Sequence, residues 1–242
     1  GHGTYSVGRV QTPTLAMVCE RYWENRRFTS EAFWQLHIAT DGCDGEVVKF
    51  SSSEKWKEKE PAMELYNKVK AAGCATVTKA ERKEKTEETP LLYDLTTLQK
   101  EANAKHGFTA EQTLEIAQKL YEKKLTTYPR SDSEYLPLNQ RKDASAILAH
   151  LRDGDDAALS HWAGGADAKI KSRAWNDKKV TAHHAIIPTR VRARLGTLTE
   201  TEQNIYRLIA QAFIAQFYPE HVYEKTRAAL DYHGEVFAVN GR

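Results

Sequence analysis

Residues 125–133 read Leu-Thr-Thr-Tyr-Pro-Arg-Ser-Asp-Ser, a run that brings a phenol (Tyr128), a guanidinium (Arg130), two hydroxyls (Ser131, Ser133) and a carboxylate (Asp132) close together. A phenolic oxygen can displace a phosphodiester oxygen and keep the phosphate as a covalent ester, provided cations hold the charged group in place. Arginine is the residue type that grips a phosphate through two parallel hydrogen bonds, which gives Arg130 a natural part in that chemistry. Proline breaks a helix that enters the run, so it is expected as a loop held by a rigid scaffold. A bland reading competes at this point. The chain has 11 tyrosines, and most loop tyrosines beside an arginine serve packing or a surface hydrogen bond.

Two further segments carry residues of the same kind. His183 and His184 open the run His-His-Ala-Ile-Ile-Pro-Thr (183–189) inside a basic stretch. Adjacent histidines there suit phosphate contact or proton movement. A metal site is disfavoured, since sequence neighbours rarely ligate one ion and no Cys or acid stands at ligand spacing; a pair of satisfied structural histidines is the plain alternative. From Lys169 to Arg194 there are eight basic residues, Lys178 and Lys179 among them, against the single acid Asp177. That excess points to a polyanion, although a solvated face would also account for it. The third segment, Ser-Val-Gly-Arg-Val-Gln-Thr-Pro-Thr (6–14), puts Arg9, Gln11 and hydroxyls just before a helix start, where a phosphate can be received. It lacks the spacing of a Walker loop, and an ordinary cap is the simpler reading.

The elements that must position these residues follow from punctuation and periodicity. Thr12-Pro13 predicts a helix start with Thr12 as the N-cap, followed by Leu15, Val18, Cys19 and Tyr22 at helical spacing up to about Asn25. Residues 33–39, 46–50 and 75–79 predict strands, with a helix over 61–72 between the last two. After the charged run 79–88, where four bases meet four acids, the signals turn helical. A helix over 97–105 should stop at Gly107; Thr109-Ala-Glu-Gln112 is a capping box ahead of Leu114, Ala117, Leu120 and Tyr121; another helix is predicted over 139–151. Residues 153–171 read as a loop or weak helix. Thr199-Glu-Thr-Glu202 is a second capping box before a long amphipathic helix stopped by Pro219, and strand character returns in 222–230 and 235–239. Helix, sheet, helices, sheet is the order expected of a helical domain inserted into a sheet domain, an α+β multidomain fold.

Bulk composition sets limits without deciding the function. The 242 residues are 40% apolar and 28% charged, which suits a globular chain with a real core, and the net charge is only +2. The three cysteines, Cys19, Cys43 and Cys74, form no C-x-x-C pair, so neither zinc nor a disulfide framework is suggested and a reduced, cytoplasmic setting is expected. No apolar run approaches the ~18 residues of a membrane span.

The three segments, in this order, resemble the signature segments of type IA DNA topoisomerases. The stretches Tyr-Asp-Leu-Thr-Thr-Leu-Gln-Lys-Glu-Ala-Asn (93–103), Leu-Thr-Glu-Thr-Glu-Gln (198–203) and Gln-Phe-Tyr-Pro (216–219) are similar too. The Tyr-Pro-Arg and Ala-Ile-Ile-Pro-Thr forms look most like the bacterial topoisomerase III branch of that family.

The resemblance implies that Tyr128 attacks one DNA strand and is left joined to its 5′-phosphate, that the gap passes another strand, and that the ester is reversed without ATP. It implies that Arg130 holds the scissile phosphate, that His183 contacts DNA phosphate, and that Arg9 and Gln11 line the single-strand groove. Ser131, Asp132, His184, Lys178 and Lys179 are expected as further DNA contacts. It also implies a β-rich arch domain (30–89 and 219–242) carrying a helical domain with the tyrosine (90–218), and a base-domain remnant in 1–29. Family members bind Mg2+ through an N-terminal acidic cluster, and nothing in these residues supplies one. The chain is therefore expected to be a central fragment, inactive alone, monomeric, nucleoid-associated in the cytoplasm, and partnered chiefly by single-stranded DNA. The competing expectation is a single-strand-binding or gating module in which Tyr128 stacks on a base. A tyrosine recombinase or relaxase is disfavoured, because their arginine and histidine patterns are absent.

Overall fold

The computed structural model describes residues 8–42, 45–180, 182–232 and 234–242. Ser6 and Val7 of the first segment, Cys43 and Thr181 lie outside the described residues. The chain divides into two compact units, Gly1–Lys83 with Glu224–Arg242, and Glu84–Tyr223, the second inserted in the first. It passes from one to the other within two strands, Thr76–Glu87 and His221–Tyr232.

The first unit holds helix α1 (Gln11–Arg27), strands β1 (His37–Asp41) and β2 (Val47–Ser52), helix α2 (Lys59–Ala72), and strands β3 (Thr76–Glu87), β4 (His221–Tyr232) and β5 (Glu235–Gly241). The strands form one sheet in the order β1-β2-β5-β4-β3. Ile38 faces Phe50 across β1 and β2, Ser51 faces Ala238 across β2 and β5, and Ala229 faces Ala238 across β4 and β5, all antiparallel. The small core is Phe50, Leu230, Tyr232 and Phe237, covered by Leu65 and Val69 of α2.

Two expectations need correction here, the cap of α1 and the extent of β3. Thr12 is not the cap of α1: the helix begins at Gln11 after Val10, and the Thr14 hydroxyl donates back to the Val10 carbonyl at 2.7 Å. Pro13 is still tolerated, because N–H groups of the first turn have no helical partner to lose. The apolar stripe of α1 is not buried; Leu15, Val18 and Tyr22 are all more than half exposed, and the helix has no buried residue. The charged run 79–88 is not a break between elements, because β3 runs through it to Glu87 with nearly every residue exposed. Dense mixed charge is a common device for keeping an outer strand from pairing with other chains.

The second unit is helical: α3 (Leu95–His106), α4 (Ala110–Glu122), α5 (Arg141–Arg152), α6 (Ala157–Gly165) and α7 (Glu200–Ala215). Gly107 closes α3 in the left-handed region at φ 70°, and Thr109 and Thr199 each complete a capping box, with Gln112 and Glu202. Asp94 caps α3 in the same reciprocal way with Thr97. The residues at 153–171 include a full helix, α6, capped by Asp156. Its core is one cluster in which Leu98, Leu120, Leu148, Ile205, Phe213 and Phe217 take part. Glu202 sits inside this unit, 4% exposed, and accepts two hydrogen bonds from the Lys123 ammonium at 2.7 and 2.8 Å. No helix among the described residues is long and apolar enough to cross a membrane.

Candidate active site

The tyrosine loop starts at the end of α4, and that end is built with care. Lys124 adopts the left-handed conformation at φ 61°; its N–H donates to the Tyr121 carbonyl at 2.8 Å and the Leu125 N–H to the Leu120 carbonyl at 2.9 Å. This is the Schellman arrangement, in which a left-handed residue turns the chain back across the last helical turn. The Lys123–Glu202 pair fastens the same turn to α7. Burial acts against the charge on Glu202. The Lys123 ammonium and the hydrogen bonds from Thr199 outweigh it and hold the carboxyl below its usual range.

Beyond that turn the chain runs extended, and Tyr128, which precedes Pro129, is sterically directed away from helix. The loop then pairs with the histidine segment. Thr126 bridges Pro188, the Thr127 N–H donates to the Ile187 carbonyl at 2.9 Å, and the Thr189 N–H donates to the Leu125 carbonyl at 3.0 Å. The Thr127 hydroxyl donates to the Ala185 carbonyl at 3.2 Å and accepts from the Ile187 N–H at 3.0 Å. On its other side the histidine segment bridges Tyr93, whose carbonyl accepts from the Ile186 N–H at 2.8 Å. Burial, with Glu101 adding to it, pushes the Tyr93 phenol up to about 12. Ala185, Ile186 and Ile187 are buried, which explains why the apolar run follows the histidines: it anchors them.

This pairing brings together side chains far apart in sequence. The Tyr128 ring, 40% exposed, stacks on the His183 imidazole with centroids 5.4 Å apart and planes 29° from parallel. The His183 Nδ1 lies 3.5 Å from an Asp132 carboxylate oxygen. Tyr121 meets the Tyr128 ring edge-on at 5.7 Å. Arg130 is exposed on the same loop, and no hydrogen bond or ion pair to another described residue engages its guanidinium.

The other candidates divide. Ser131 is corrected: it is 4% exposed, and its hydroxyl donates to the His184 carbonyl at 2.7 Å and accepts from the Ser133 N–H at 3.2 Å. It ties the two segments from within and is not available to a ligand. His184 is half-buried, its Nδ1 2.8 Å from the Ala185 carbonyl. Lys179 reaches the Tyr135 hydroxyl at 3.1 Å and lies over that ring, while Lys178 is exposed. The basic stretch is also less free than its count suggests, because Arg173 pairs with Glu88 at 2.6 Å and Arg190 with Asp143 at 3.5 Å. Arg9 and Gln11 belong to the first unit, at the start of α1.

Residue types alone left out Thr127, Thr189 and Tyr121. The hydroxyls of Thr127 and Thr189 bond backbone within and across the two segments, Thr189 through the Lys124 carbonyl. Thr127 has a signal in its place beside Tyr128, whereas Thr189 and Tyr121 lie away from the residues they support and have none. Among the described residues no three His, Cys, Asp or Glu side chains gather as metal ligands. Glu134, near Asp132, is half-buried, and its carboxyl is raised above the usual range by burial and then by Asp94.

A family model described as DNA topoisomerase matches residues 1–242. The chain belongs to the DNA topoisomerase family. It is 35% identical over 256 residues to DNA topoisomerase 3 of Vibrio cholerae, covering 99% of this chain and 39% of that protein. It is 35% identical over 245 residues to DNA topoisomerase 3 of Bacillus subtilis, covering 98% of this chain and 33% of that one. The fold matches the full-length topoisomerase I of Thermotoga maritima with a TM-score of 0.67 and 25% identity, over 98% of this chain and 38% of that one. These likenesses agree with the type IA membership that the ordered motifs predict, and with the topoisomerase III branch of it. The chain spans between a third and two fifths of the length of the topoisomerase 3 relatives it matches.

Proposed function

We propose that this chain supplies the strand-cleaving tyrosine of a longer, ATP-independent topoisomerase. The Tyr128 phenolic oxygen attacks a phosphorus of one DNA strand, an O–P bond forms, and the P–O3′ bond breaks. The phenol gives up its proton as it attacks, and the 3′ oxygen takes one up and leaves as a hydroxyl, while the 5′-phosphate stays on the tyrosine. Reversal by the same hydroxyl reseals the strand, and the energy of the ester is conserved throughout. Arg130 grips the non-bridging oxygens, and His183, positioned against the Tyr128 ring and beside Asp132, contacts the same phosphate. Relaxation or decatenation follows when a second strand passes the gap.

The observation that carries this reading is the stacking of Tyr128 on His183, with Arg130 exposed on the same loop. A structural tyrosine would be expected to bury its ring or satisfy its hydroxyl; this one keeps 40% of its surface open beside a histidine and an arginine. The family also implies Mg2+. The carboxylates beside the tyrosine do not fit that ion: the Asp132 side chain is 72% exposed and faces His183, and among the described residues no three acids or histidines gather around Glu134. Magnesium ligation is therefore assigned to residues outside this chain, and the chain alone is inactive. Residues 1–29 are assigned to the base domain and the tyrosine-bearing helices to the domain carried by the arch.

A second reading, a single-strand-binding or gating module, draws support from the same open ring, which suits stacking on a base. The full-length protein carrying Tyr128→Phe separates them. Loss of the covalent DNA adduct with strand binding retained supports the nucleophile; an adduct formed at undiminished rate contradicts it.

A further inference from the structure

Tyr121 closes the last turn of α4, the helix that delivers the tyrosine loop, yet it takes no part in the core of the unit. The buried side of α4 is Thr113, Ile116, Ala117 and Leu120. Tyr121 is 40% exposed, and among the described residues its hydroxyl has no hydrogen-bond partner. The ring contact it makes is with Tyr128, centroids 5.7 Å apart and planes 78° apart. Its backbone is fixed by the same turn that fixes Lys124. The Tyr121 carbonyl accepts from the Lys124 N–H at 2.8 Å, and the Thr189 hydroxyl donates to the Lys124 carbonyl. Tyr121 and Lys124 line one open recess of about 490 Å³, together with Thr127, Thr189 and Tyr128 itself. Among the described residues the Lys124 ammonium is in no ion pair. The lining acid, Glu122, accepts from the Gln118 amide at 3.0 Å along its own helix.

An aromatic ring with an ammonium beside it suits a single strand, which offers the ring a base and the cation a phosphate. Tyr128 is less available for stacking, because His183 already lies against one face of its ring. We propose that Tyr121 is the platform for the base next to the break, with Lys124 on a neighbouring phosphate. This rests on the reading of Tyr128 as the residue at the broken phosphate. Successive nucleotides lie a few ångströms apart along a strand, the scale that separates the two rings. The flanking hydroxyls are turned to backbone and read no base edge. That of Thr127 is engaged by the Ala185 carbonyl and the Ile187 N–H, and that of Thr189 by the Lys124 carbonyl and the Val191 N–H. Every base has a π-face, so the platform grips the strand without selecting its sequence.

The test measures strand binding by fluorescence anisotropy with full-length protein carrying Tyr128→Phe, on a short strand that the parent breaks at one position. Bases are removed one at a time to leave abasic sites. At one position beside the break, losing the base should weaken binding about tenfold, the scale of one base stacked on one ring. Adding Tyr121→Ala should weaken binding of the intact strand by a similar factor, and that abasic site should then have no further effect. Tyr121→Leu, which keeps apolar bulk without a flat ring, should match Tyr121→Ala, and Tyr121→Phe should restore the coupling. Lys124→Gln should lower the slope of log affinity against log salt by about 0.7, the value of one phosphate on a single strand. The proposal fails if the losses from Tyr121→Ala and from the abasic sites multiply at every position. It fails equally if Tyr121→Ala binds the intact strand as tightly as its parent, or if Lys124→Gln leaves the salt slope unchanged. No bond is broken in this readout, so the coupling stands or falls separately from the adduct formed at Tyr128.

Discussion

The ring of Tyr128 lies stacked on the imidazole of His183 at 5.4 Å between centroids, and the imidazole in turn lies beside Asp132 at 3.5 Å. This puts a cationic group, when the imidazole is protonated, next to the phenol that we propose as the nucleophile. His183→Ala should slow strand cleavage in the full-length protein by about 10²-fold, the usual loss when one donor to a developing charge is removed. The adduct should still form on the same tyrosine. Single-turnover cleavage of an end-labelled strand measures this; a rate within about twofold of the parent would remove His183 from the site.

Ser131 predicts a different phenotype. Its hydroxyl holds the His184 carbonyl and the Ser133 N–H together inside the unit. Ser131→Ala leaves both buried groups short of a partner and should cost about 1–2 kcal/mol of stability. Chemical denaturation reads the loss. Strand binding should be unaffected, because the hydroxyl is turned inward.

Glu202 makes stability depend on pH. Its carboxyl is held below the usual value of 4.5, so the folded state binds its proton less readily than the unfolded chain does. The stabilisation is therefore fully present above about pH 4.5 and is lost as pH falls through the lower folded value. Glu202→Gln should destabilise by about 2 kcal/mol at neutral pH, since hydrogen bonds to charged groups are the stronger kind. The gap between variant and parent should close in acid; melts from pH 7 down to about pH 3 check it, and a gap that persists unchanged would contradict the assignment.

Lys124 carries the left-handed conformation that glycine adopts without cost. Lys124→Gly should be neutral or stabilising by up to about 1 kcal/mol, whereas Lys124→Val should destabilise by more than that. Thermal melts of the two variants, compared with each other, isolate the backbone effect.

Much of this was legible in the residues themselves. The capping boxes at Thr109 and Thr199 and the stop at Gly107 are local signals, and local hydrogen bonding decides them. The Asp94 cap carries no such signal, because its reciprocal partner is Thr97 in place of the usual Glu or Gln. β3 was cut short because a charged run looks like a linker, although exposed positions on an outer strand accept charge freely. The stripe on α1 showed where apolar residues fall, but periodicity cannot say what covers them. At the site, the residue types of Tyr128, Arg130 and His183 were readable. The stacking of Tyr128 on His183 was not, because it depends on Thr126, Thr127 and Thr189 bridging segments distant along the chain. The inward turn of Ser131 is hidden for the same reason: a hydroxyl in a loop gives no local sign of facing inward.

The central claim is that Tyr128 itself takes the phosphate. Trypsin cuts after Lys124 and Arg130, so residues 125–130 leave as one short peptide containing Tyr128 and no other tyrosine. Full-length protein is allowed to cleave a single strand, the complex is trapped with denaturant, the DNA is trimmed by nuclease, and the peptides are weighed. The account predicts that peptide 125–130 carries the added nucleotide phosphate, attached through the 5′ side of the break. Nucleotide found on another peptide, such as the one bearing Tyr121, or attached through a 3′-phosphate, would contradict it.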